Sequence, residues 1–153
     1  MRRSLAMVMG CVAVISAAGC GSHKPPLSPA CTESPQAVQA ALETVPGNVT
    51  LPDGTPLSHC ISAATDDADL QNVGSVFFVA AESLAEKARA GDNKAAEQLG
   101  YLIGATRRGA AKTNGVMAEL QRRIELVGGR VQERVPAQRA ALDSGRIEGQ
   151  AKG

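Results

Sequence analysis

From Leu70 to Val127 apolar residues recur at steps of three and four, and their phase never slips. That rhythm confines the middle of the chain to helices that bury a shared seam. Asp66, Asp67 and Asp69 provide an N-cap and negative charge where a helix starts, and Leu70, Val73, Phe77, Ala80 and Leu84 then fall on one face. The spacing predicts a helix running to about Ala90. Gly91-Asp92-Asn93 interrupts it, and Leu99, Ile103, Thr106, Ala110, Thr113, Met117, Leu120, Ile124 and Val127 resume the same steps. A turn this short sets the two segments antiparallel, so the fold expected is mainly α, built on a long helical hairpin.

The unbroken phase favours one long second helix, because a turn at Thr113-Asn114-Gly115 has no reason to preserve a heptad across it. Gly100, Gly104, Gly109 and Gly115 weigh against that, each costing up to about 1 kcal/mol relative to alanine inside a helix, and Gly115 lies off the apolar seam, which leaves a kink or break near Asn114 as the alternative. Gly100 and Gly104 have the GxxxG spacing, but Glu97, Arg107 and Arg108 on the same segment exclude a membrane span. Close approach of a neighbouring helix backbone is the reading that remains. Phe78 lies off the seam, on a second face with Gly74, Ala81 and Ala85 that is expected to pack on the module N-terminal to the hairpin.

That module starts at Ser34 and Pro35, an N-cap and first helical position. Val38, Ala41, Leu42 and Val45 follow on one face until Pro46-Gly47 stops the run. Val49-Thr50-Leu51 and residues 57–61 flank Pro52-Asp53-Gly54-Thr55, which reads as a small β-hairpin with turn chemistry at its tip, its strands kept short by Pro56. After Gly128-Gly129 the periodicity fades and glycine and charge accumulate, so residues 128–153 are expected to form a frayed, flexible tail. The folded domain then spans residues 34–127. With 44% hydrophobic residues the chain has material for a core.

The N-terminus carries an address. Met1-Arg2-Arg3 precedes residues 5–15, apolar apart from Gly10, and then Ser16, Ala17, Ala18 and Gly19. This is a secretory signal over residues 1–19, and its apolar run is shorter than the roughly 20 residues a bilayer span needs. Ala17-Ala18-Gly19-Cys20 resembles the lipobox of bacterial lipoprotein precursors, with Ala17 where leucine is usual. The resemblance covers about the first 25 residues and leaves the mature domain unassigned to a family. It implies that Cys20 becomes an acylated N-terminus, anchoring an extracytoplasmic domain to the cell membrane or outer membrane. Two or three acyl chains suffice for stable anchoring. Residues 20–33 then form the lipidated start and a proline-rich linker.

With Cys11 removed in the signal and Cys20 carrying lipid, Cys31 and Cys60 remain in an oxidising compartment and should pair. The bridge closes a loop of about 30 residues and contributes roughly 3–4 kcal/mol by restricting the unfolded chain. The rival reading, a reactive thiol beside His59, requires spatial pairing rather than adjacency in sequence.

No GxSxG, HExxH, CxxC, Walker loop or GxGxxG occurs. His23 lies in the linker and His59 has no second imidazole in the domain. The three aspartates miss calcium-loop spacing, because Gln71 and Asn72 follow them. No cofactor or metal is therefore expected. Two Phe, one Tyr and no Trp leave almost nothing for base stacking, which argues against nucleic acid. Setting aside Arg2 and Arg3 leaves 14 basic against 15 acidic residues, so global charge names no partner. Arg107, Arg108, Lys112, Arg122 and Arg123 do form a basic outer face, suited to an anionic envelope polymer or headgroup, or else simply solvated. The expected function is a lipid-anchored, non-enzymatic binding module whose partner is an envelope protein or polymer. The alternative is an envelope hydrolase or sensor whose active site the sequence does not mark.

Overall fold

The computed structural model describes residues 26–153, which are mainly helical. Cys20 and the signal lie outside the described residues. A 3-10 turn at Pro29–Thr32 precedes α1 (Pro35–Leu42), α2 (Leu57–Ala63), α3 (Asp67–Arg89), α4 (Asn93–Ala110) and α5 (Ala118–Arg134). A second 3-10 turn at Pro136–Gln138 leads into α6 (Arg139–Lys152). Three of these helices start where short polar side chains take up unpaired backbone N–H groups. Ser34 accepts from Ala37 N at 3.1 Å, Asp66 from Asp69 N at 2.9 Å and Asp92 from Ala95 N at 3.1 Å. Gly91, at φ 102°, supplies the left-handed residue that ends α3 and lets α4 fold back.

Helix α4 is the centre of the molecule, packed against α1, α2, α3, α5 and α6. Its sequence explains this, because small or apolar residues occupy nearly every face. Leu99, Tyr101, Leu102 and Ile103 are all buried, and so are Ala96, Gly100, Gly104 and Ala105. Of the polar groups carried inside, Gln98 donates to Leu42 O at 3.2 Å and Thr106 to Leu102 O at 2.8 Å, whereas the buried Tyr101 hydroxyl has no hydrogen-bond partner among the described residues. Among the described residues the hydrophobic core runs from Cys31 to Leu142. Cys31 and Cys60 are bonded and buried, joining the first 3-10 turn to α2 with their Cα atoms 5.4 Å apart.

The hairpin of α3 and α4 has the expected seam, with Val73, Phe77, Ala80, Leu84, Leu99 and Ile103 all buried. Leu120 is only half-buried. Three other expectations need correction. The second helical segment is not continuous, since residues 111–117 form turns with Asn114 at φ 51° and Gly115 at φ 91°. The heptad survives that break because Thr113 and Met117 stay buried inside the turn. Thr113 Oγ1 donates to Ala110 O at 2.7 Å and accepts from Met117 N at 3.3 Å.

Residues 57–61 are the start of α2, not a strand. Leu57, Cys60 and Ile61 repeat at helical steps and all are buried, so burial on α4 overrides the short β pattern. What remains of the hairpin is its turn, with Gly54 at φ 85°, and an isolated bridge between Thr50 and Pro56. Phe78 lines a groove beside α5, and α3 also packs on the first 3-10 turn, which carries Cys31, and on α1. Ala81 and Ala85, assigned to the same second face, are fully buried.

Finally, residues 128–153 are not a loose tail. Helix α5 continues to Arg134, and α6 packs along α4. A Cβ on Gly100 or Gly104 would come within 3.0 Å of backbone atoms of Leu142, Arg146, Gly149 or Gln150. One on Gly145 or Gly149 would meet the backbone of Glu97 or Tyr101 just as closely. The pairing advances in the same direction on both helices, so α4 and α6 run parallel, their backbones in contact through glycine. The glycines that lower helix propensity are what allow this approach. Arg108 donates to Gln150 O and Ala151 O, and Ser58 Oγ to Gly153 O, holding the far end of α6.

Candidate functional site

Between the N-terminal halves of α3 and α5 lies a groove of about 470 Å³. Leu70, Gln71, Gly74, Ser75 and Phe78 line it from α3; Val116, Met117, Glu119, Leu120 and Arg123 line it from the turn and α5. The opening follows from local sequence, because Gly74 and Ser75 provide almost no bulk opposite Leu120. A Cβ built on Gly74 would meet nothing within 4 Å. The floor is apolar and incompletely covered: Phe78 and Leu120 are half-buried, and Val116 is 58% exposed.

The rim is charged. Arg122 donates to Glu119 through Nε and Nη2, both at 2.9 Å, and Arg123 through Nε at 2.8 Å. Two guanidiniums thus share one carboxylate. The hydrogen bond from Arg122, then that from Arg123, lower the Glu119 pKa from 4.5 to about 2. A depressed carboxylate stabilises the fold above its ordinary pKa, and that contribution disappears as pH falls through the folded value. The Glu119 contribution should therefore be complete above pH 4.5 and lost on acidification through about pH 2. In a carboxyl-carbon NMR titration Glu119 should have a midpoint near 2, moving back towards 4.5 in the double variant Arg122→Gln and Arg123→Gln. An unperturbed Glu119 midpoint in the unmutated chain would show that the cluster does not form.

The five cations read as one basic face are not equivalent. Arg107 pairs with Glu125 at 2.6 Å, where burial raises the carboxyl pKa but hydrogen bonds from Arg107 and Gln121 outweigh it and leave it lowered. Arg108 caps the end of α6. Arg122 and Arg123 flank the groove, and Lys112 is exposed on the turn between α4 and α5. Only Arg123 of the five lines the groove. The groove itself was missed in the sequence because Leu70, Met117 and Leu120 belong to seams assigned to the core. The one available signal was Gly74 beside Phe78, off that seam.

His59 lies on α2, half-exposed, and among the described residues its ring makes no hydrogen bond to another side chain. Asp66 caps α3, as its position implied. Among the described residues no cluster of three or more His, Cys, Asp or Glu side chains is placed to hold a metal ion, and no helix is long and apolar enough to cross a membrane. Comparison of the chain with protein-family models, curated proteins and solved structures finds no match.

Proposed function

We propose that this chain is an exported lipoprotein in which a lipid on Cys20 and a proline-rich tether hold a non-enzymatic binding module at a bacterial envelope membrane. The observation that carries the reading is the order of basic start, apolar run, small residues and Cys20. The buried bond between Cys31 and Cys60 supports it, since such bonds persist in oxidising compartments and are rare in the cytosol. The module's partner is an anionic component of the envelope, a polymer or a protein. Lys112, Arg122 and Arg123 support this, because their side chains stay at the surface while Arg107 and Arg108 are engaged within the fold. A tether concentrates even weak contacts near such a surface.

Mass spectrometry of the mature N-terminus after expression in bacteria tests the anchor. The expected result is an acylated Cys20 and a protein that stays with the membrane in aqueous buffer. An unmodified N-terminus, or release into buffer, would overturn the proposal.

A further inference from the structure

We infer that the groove between α3 and α5 binds a single-chain amphiphile with an acidic headgroup. The chain lies on Leu70, Phe78 and Leu120, and the headgroup is taken by Arg123 with Arg122 beside it. This deepens the binding-module reading without depending on the lipid at Cys20.

Three observations point to this occupant. The volume of about 470 Å³ falls within the range of small-ligand sites, roughly 300–1,000 Å³. Its floor is an apolar strip left partly uncovered, whose removal from water favours an alkyl chain. At its rim Glu119 and Arg123 balance in charge, and Arg122, bonded to the same carboxylate from just outside the lining, gives the cluster one net positive charge. Each guanidinium has five N–H donors, and only three from the pair are given to Glu119. The remaining donors suit a carboxylate or phosphate.

The alternative of a protein partner fits less well. From Leu70 to Phe78 the groove follows α3 for only about 12 Å, whereas stable protein interfaces cover about 800 Å² on each side. A single chain matches that length.

The test uses residues 21–153 with the disulfide formed, which contain every core residue from Cys31 to Leu142 among those described. Titration calorimetry is run with dodecanoate, dodecyl phosphate and dodecyltrimethylammonium, each below its micelle concentration. One saturable site is expected for dodecanoate or dodecyl phosphate, and their ranking tells which acidic headgroup is preferred. The cationic amphiphile should bind about tenfold more weakly or less, a difference of about 1.4 kcal/mol.

Gly74→Leu fills the groove at a position where a Cβ meets open space, so it should abolish binding while the melting temperature holds or rises. Should that variant not fold, Arg123→Gln at an exposed position keeps the test decisive. It should weaken the anionic amphiphiles about tenfold and leave the cationic one unchanged, by the same charge arithmetic.

The inference is overturned if no amphiphile saturates a site, if headgroup charge makes no difference, or if folded Gly74→Leu binds as well as the unmutated chain. It is equally overturned if sedimentation shows copies of the chain associating through this groove, with Gly74→Leu abolishing that association. None of these failures would alter the mass of the mature N-terminus, so the two readings fail separately.

Discussion

Replacing Gly149 with leucine should detach α6 from α4 and destabilise the fold by roughly 3 kcal/mol or more, the upper end of overpacking costs. The reason is geometric. The nearest atoms to a new Cβ at this position are the oxygen, carbonyl carbon and Cα of Tyr101, all backbone, so no neighbouring rotamer can move aside. Relief requires the helices to separate, and separation also removes the close packing at Gly100, Gly104 and Gly145. Leu142 would be uncovered with them. Urea denaturation followed by circular dichroism reads the loss, and hydrogen exchange should show the amides of residues 139–152 losing protection first. Gly129→Ala is the control, since a Cβ there meets nothing within 4 Å. Unchanged stability and intact protection of α6 in Gly149→Leu would show that the two helices are not in backbone contact.

Leu99→Ala should lower stability by about 2–5 kcal/mol. Leu99 is fully buried on the central helix, which packs against five others, so the structure around the deleted atoms has little freedom to collapse. Leu120→Ala removes the same atoms from a half-buried site beside the groove and should cost only about 1 kcal/mol, in proportion to its smaller burial. The comparison separates seam from groove. A loss below roughly 0.5 kcal/mol for Leu99→Ala would mean that the seam is open to solvent, against the 2–5 kcal/mol of a buried leucine.

Sequence alone was enough for the elements whose cause is local. Ser34 and Asp66 lie immediately before their helices because a side chain there takes up backbone N–H groups a few residues on. The positions of Phe77, Leu84, Leu99 and Ile103 follow from the helical repeat, which puts every third or fourth residue on one face. The pairing of Cys31 with Cys60 was legible through the reading of the N-terminus and the elimination of other thiols.

What lay beyond reach depended on contacts between distant segments. Gly145, Gly149 and Gly153 look like disorder when only propensity is considered, and they become a packing surface only when Gly100 and Gly104 are brought alongside. Thr113 and Met117 keep a helical phase through a turn because the core behind them demands burial, not because the backbone between them is helical. The β pattern at residues 57–61 became a helix when burial against α4 outweighed a weak local preference. The groove lies between α3 and α5, where Gly74 leaves open space. Local chemistry thus decided where helices begin and which faces are apolar; long-range packing decided which face meets which, because burial energy belongs to a pair of surfaces and only the fold chooses the pair.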